Sequence, residues 1–154
     1  EETGGIIGNG DITMDWIVHV LKRTVDTQYR TKADRRHTFL AGSSMGGLMT
    51  LYGLLAYPEV FSRGAALSPS LWIDAEKVKA MIRHARVKRN TVLYMDYGAL
   101  EFADHPHSRS LFAEVSALLI EKRVLLNSRI VPRGTHCEAS WEKQIPFFMK
   151  TLFE

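Results

Sequence analysis

The chain has 154 residues, 45% of them hydrophobic and 24% charged, which describes one soluble globular domain with a real core and excludes a disordered chain. Its formal charge of +3, from 20 Lys and Arg against 17 Asp and Glu spread along the chain, demands no anionic partner, so neither nucleic acid nor membrane is expected. A single cysteine, Cys137, excludes an internal disulfide and agrees with a cytoplasmic, reducing setting; because the sequence starts at Glu1, a leader already removed stays open as the alternative.

In chain order, a glycine-rich entry, TGGIIGNGD, leads to Asp11, a fair N-cap for a helix to about Arg30. Met14, Ile17, Val18, Leu21 and Val25 would form its buried face. A polar connector, TKADRRH, precedes the short apolar run TFLAG, which reads as a strand near 38–42. The next helix carries the stripe Leu48, Leu51, Tyr52 and Leu55 and should stop before Pro58. RGAALS, near 64–68, predicts a second strand, DAEKVKAMIRHARVK a helix at the solvent edge, and TVLYMDYG, near 91–96, a third strand. A helix over about 108–122 would bury Leu111, Val115, Leu118 and Leu119. NSRIVPRG then predicts a fourth strand near 127–132, and Trp141, Ile145, Phe148 and Leu152 line a last helix that Pro146 either kinks or starts. Strict alternation of strand and helix argues for a parallel sheet with helices on both faces and right-handed crossovers, built from residues 1–154 as a single domain.

Gly42-Ser43-Ser44-Met45-Gly46 fits G-x-S-x-G between a predicted strand and a predicted helix, the setting that pattern needs. The flanking glycines let strand and helix approach while Ser44, the central residue, takes a strained backbone. Ser43 holds the variable position. A serine nucleophile needs a base and an orienting acid. Glu101 and Asp104 follow the third strand and His136 follows the fourth, at the sheet edge where such folds place their sites. Asp96 is a further candidate for the acid.

At these residues the chain resembles the putative-esterase (esterase D-like) branch of the α/β-hydrolase superfamily, which includes ferric-siderophore esterases, feruloyl esterases and S-formylglutathione hydrolases. The resemblance rests on AGSSMGG, LSPSLW, YMDYGALEF and GTHCEASW, and covers the chain from Gly8 onward. It implies that Ser44 is the nucleophile, His136 the general base and acid, and Glu101 the orienting acid of a serine esterase acting on small esters without metal or cofactor. The backbone N–H of Met45 would be one oxyanion donor, and Trp72 either walls the acyl pocket or merely packs. The family fold has about four more strands ahead of the elbow, so the chain is expected to be the C-terminal half of that fold, a single partial domain. The first strand would then expose an edge able to pair with another copy, and the alternative to an esterase is a catalytically incompetent assembly or binding half.

Other features have plainer readings. Cys137, beside His136, is expected to be a buried small residue. His105 and His107 have the spacing of a metal pair but no third ligand, and read as a solvated helix entry. RHARVKR, residues 83–89, lacks interleaved aromatics and reads as a solvated helix end. His19, His37 and His84 are expected to be surface or helix-face residues.

Overall fold

A computed structural model of the chain describes residues 8–104 and 107–154, the side chain of Asp104 excepted. The first residues of the glycine-rich entry and His105 lie outside the described residues. Contacts divide the chain into two units, residues 1–33 and 34–154.

The described part of the first unit is one helical run: α1 (Gly10–Trp16), a π turn (Ile17–Leu21) and α2 (Lys22–Gln28). Its N-cap is Asn9 rather than Asp11, which sits in the first turn. Met14 and Val18 are buried as expected, whereas Leu21 and Val25 are exposed. The π turn explains this correction: a wider turn shifts every later residue off the face that a 3.6-residue period assigns to it. Lys22 Nζ pairs with Asp26 at 2.5 Å and also donates to the Ala33 carbonyl at 2.8 Å, tying the helix to the segment that follows it.

The second unit holds β1 (Phe39–Ser43), α3 (Met45–Ala56), β2 (Arg63–Leu67), α4 (Ala75–His84), β3 (Val92–Gly98), α5 (Glu101–Asp104), α6 (His107–Glu121), β4 (Leu125–Val131), α7 (Glu138–Trp141) and α8 (Ile145–Phe153). The strands form one parallel sheet in the order β1-β2-β3-β4, with Ser43 opposite Leu67, Leu67 opposite Asp96 and Gly98 opposite Val131. All strand C-termini therefore reach the same edge. A Cβ at Gly64 would meet Thr50 and Leu54 of α3. Its neighbour Ala65 clusters instead with Tyr94 and with Leu152 of α8. Successive strand residues point to opposite faces, so α3 and α8 cover opposite sides of the sheet. Phe39, Trp141 and Phe148 complete the α8-side core.

The strand expectations hold to within about two residues, the usual uncertainty of an element end. The helix stripes need more correction. On α3, Leu51 and Leu55 are buried but Leu48 and Tyr52 only partly, and Leu54 and Thr50 take their places. This helix is apolar nearly all round, so a period alone selects no single face. On α6, Phe112 is buried with Val115 and Leu119, while Leu111 and Leu118 are half-buried; Phe112 meets the Tyr97 ring at 5.7 Å, edge to face. Pro146 stands in the first turn of α8, after a 3-10 turn over Glu142–Gln144, and so marks a start. That break leaves Ile145 exposed instead of continuing the stripe of Trp141. Among the described residues, no helix is long and apolar enough to cross a membrane.

Candidate active site

The end of β1 turns into α3 through Ser44, whose φ of 55° and ψ of −119° lie where few side chains settle. Such a conformation costs about 1–3 kcal/mol and persists only where the surroundings enforce it. They do so here: the Ser44 N–H bonds the Leu67 carbonyl at 2.9 Å, and the Ser44 carbonyl accepts from the N–H groups of Leu48 and Ser70, both at 3.1 Å. Gly42 makes the turn sterically feasible, because a Cβ there would sit 2.5 Å from the backbone of Gly46. The same test at Gly46 finds open space, so only one of the two motif glycines is demanded by close approach.

At the end of β3, the backbone turns through Gly98 and Ala99 into α5, and the Leu100 N–H bonds the Gly134 carbonyl at 3.0 Å. This joins the turn after β3 to the turn after β4, and so places Glu101 beside His136. Glu101 is buried, with 4% of its surface exposed. Its Oε1 accepts from the Gly98 N–H at 2.8 Å and the Ser68 hydroxyl at 2.7 Å, while Oε2 lies 2.7 Å from His136 Nδ1. His136 Nε2 is 2.8 Å from Ser44 Oγ. A carboxylate only accepts, so Nδ1 carries the proton and Nε2 is left to accept from the Ser44 hydroxyl. The order Ser44, Glu101, His136 along the chain thus becomes one continuous line of hydrogen bonds across three strand ends.

The structure separates Glu101 from Asp96, while the side chain of Asp104 lies outside the described residues. Asp96 lies within β3, accepts the Tyr94 hydroxyl at 2.7 Å and the Ser68 N–H at 3.2 Å, and is 1% exposed. Burial pushes its carboxyl upward, and burial also pushes up the Tyr94 hydroxyl that faces it. It is a carboxyl in the supporting structure, with no hydrogen bond to His136.

Sequence reasoning overlooked the roles of Ser68, Ser70 and Trp141. Ser68, with φ of 41°, follows β2 and reaches Glu101; Ser70 Oγ lies 3.3 Å from Ser44 Oγ; Trp141 donates its Nε1–H to Ser68 Oγ at 3.0 Å. The available signal was LSPSLW itself: polar residues just past a buried strand, at the same sheet edge as the other loops.

Met45 is the first residue of α3, so its N–H has no acceptor within the helix, and it lies at the positive helix end beside Ser44. Trp72 is half exposed and lines a cleft of about 410 Å³ with Lys79, His107, Leu111 and Glu114, a lining that does not include Ser44 or His136. Cys137 is half-buried rather than buried: it stands at the N-cap of the short α7, outside the sheet core, and makes no side-chain cap hydrogen bond there. The Thr135 hydroxyl, 3.2 Å from Sγ, holds the thiol below its ordinary range. His107 begins α6, and among the described residues no cluster of three or more His, Cys, Asp or Glu could hold a metal. His19, His37 and His84 are exposed, as is most of 83–89.

Comparison with known proteins bears on the family and the fold. The iron(III) salmochelin esterase of Escherichia coli O6:H1 is 35% identical over 78 residues, which is 50% of this chain and 19% of that protein. The enterobactin esterase of Shigella flexneri superposes with a TM-score of 0.65 at 25% identity, over 88% of this chain and 36% of its own. An IroE-like serine hydrolase from Shewanella oneidensis superposes with a TM-score of 0.75 at 20% identity, over 94% of this chain and 47% of its own, a likeness of fold. The chain therefore spans less than half the length of each of these three proteins. A family model described as "Putative esterase" matches residues 11–149, and the chain belongs to that family of α/β-hydrolase fold.

Proposed function

We propose that the chain is the catalytic part of a serine carboxylic-ester hydrolase. The observation that carries this reading is the line Ser44 Oγ–His136 Nε2–His136 Nδ1–Glu101 Oε2, at 2.8 and 2.7 Å. His136 Nε2 takes the Ser44 proton as Oγ attacks the ester carbonyl, and Glu101 holds the imidazole in the required tautomer and stabilises the imidazolium. The Met45 N–H donates to the oxyanion. The imidazolium returns its proton to the departing alcohol, leaving an acyl group on Ser44. His136 next takes a proton from the water that attacks that acyl group, and the imidazolium gives the proton to Ser44 Oγ as the acyl–Oγ bond breaks, releasing the acid and restoring Ser44 and neutral His136. Acylation and deacylation each transfer one acyl group and relay one proton through His136, and neither requires a metal or cofactor.

Small carboxylic esters fit a half-buried Ser44 at the open edge of the sheet, and siderophore esters are the class that the names of the matched proteins suggest. The lone Cys137 supports a cytoplasmic setting, which cell fractionation checks. Hydrolysis of p-nitrophenyl acetate that disappears in His136→Ala is the expected result for the esterase. A second reading treats the chain as an inert assembly or binding half. It is favoured by the outer edge of β1, which among the described residues pairs with β2 alone. No turnover from a folded chain would decide for it.

A further inference from the structure

We propose that Ser68, oriented by Trp141, is the positioning residue that aims the Glu101 carboxylate at His136. This inference rests on the reading of Ser44, His136 and Glu101 as the catalytic line. A carboxylate has two equivalent oxygens on a rotatable bond, so presenting Oε2 to His136 requires something to hold Oε1. Of the two groups that do so, the Gly98 N–H comes with the end of β3, the strand that leads into Glu101. Ser68 comes from another strand end and crosses to Glu101 at 2.7 Å.

The direction of the Ser68 hydroxyl is determined by its neighbours. Its oxygen receives the Trp141 Nε1–H at 3.0 Å, and its one proton goes to Glu101, which only accepts. Trp141 also packs edge-on against the His136 ring, with centroids 5.0 Å apart and planes at 83°. The four side chains Trp141, Ser68, Glu101 and His136 therefore close a ring, and displacing any one of them disturbs the next.

The backbone at Ser68 supplies the second argument. Its φ of 41° is a conformation that favours glycine, and the residue is 1% exposed, yet the side chain is a hydroxyl. The turn is held independently of that hydroxyl, by the Ser68 N–H on the Asp96 carbonyl at 3.0 Å and on Asp96 Oδ1 at 3.2 Å. Glycine would fit this backbone better, so the hydroxyl rather than the turn accounts for serine here.

The test uses Ser68→Gly, which relieves the backbone, beside Ser68→Ala and Trp141→Phe. The deciding readout is the low-field Nδ1–H proton resonance of His136, followed by NMR in the full chain and again in the Ser44→Ala background, where no chemistry is needed. The expected result is a shifted or exchange-broadened resonance in both Ser68 variants and a smaller shift in Trp141→Phe. Ser68→Gly should melt above Ser68→Ala, which keeps the strained φ, and below the parent, because Trp141 Nε1–H loses its acceptor in both. The rate of fluorophosphonate labelling should fall about tenfold, the scale of one hydrogen bond to a charged group. A His136 resonance unmoved in Ser68→Gly overturns the proposal, whatever the labelling rate. Labelling that persists in Ser44→Ala would instead overturn the reading of Ser44, while the resonance still decides the role of Ser68.

Discussion

Replacing Glu101 by Gln and by Ala separates its chemical role from its structural one. The carboxylate is 4% exposed and accepts three hydrogen bonds, from Ser68 Oγ at 2.7 Å, Gly98 N at 2.8 Å and His136 Nδ1 at 2.7 Å. In Glu101→Gln the amide oxygen can keep the Ser68 and Gly98 donors, so the fold should lose no more than about 1 kcal/mol. The amide NH₂ then faces Nδ1 and forces that nitrogen to accept, which puts the imidazole proton on Nε2, where it cannot receive the Ser44 proton. Labelling by a fluorophosphonate should fall about 10³–10⁴-fold, the scale of a wrong-tautomer defect in a catalytic triad. In Glu101→Ala the Gly98 N–H and Ser68 O–H are buried without their acceptor, at about 1–3 kcal/mol each, so this variant should also melt earlier. Stopped-time labelling and circular-dichroism melts measure the two effects. A Glu101→Gln chain that melts like the parent and labels within about tenfold of it would refute the assignment of the orienting acid.

Other predictions follow from the same contacts. Gly42→Ala places a Cβ 2.5 Å from the Gly46 backbone and should cost about 1–3 kcal/mol or more, whereas Gly46→Ala meets nothing within 4 Å; equal melting temperatures would contradict the close-approach argument. Burial raises the Asp96 pKa, so its stabilising contribution is fully present below the unfolded carboxylate pKa and is lost as pH rises through the folded value. The parent should therefore gain stability relative to Asp96→Asn as pH is lowered from about 8 to about 4, and paired melts showing a constant difference would count against this. The outer edge of β1, hydrogen-bonded to β2 alone among the described residues, is proposed to pair with a second copy of the chain. Multi-angle light scattering should show self-association, and a strictly monomeric chain would refute that proposal.

Much of this arrangement was legible in the sequence because it depends on local chemistry. G-x-S-x-G between TFLAG and an apolar helix identifies a strained turn, and the order of Ser44, Glu101 and His136 after successive strands places all three at one sheet edge. The helix faces were less legible. A π turn over Ile17–Leu21 and the nearly uniform apolar surface of α3 both defeat a simple 3.6-residue count. The support for Glu101 was the least legible, since Ser68 and Trp141 lie 33 residues before and 40 after it and are joined only by the register of β2, β3 and the final loop. Cys137 illustrates the same limit: its place beside His136 is visible, but the helix of four residues that it precedes is not announced by the pattern.

The central claim is that Ser44 is the nucleophile. Its most direct measurement is the mass of the folded chain after reaction with a fluorophosphonate, with the adduct located by peptide mapping. A single adduct on the peptide carrying Ser44, absent from Ser44→Ala and greatly slowed in His136→Ala, is the result expected. An adduct retained in Ser44→Ala, or none on a chain shown to be folded, would contradict it.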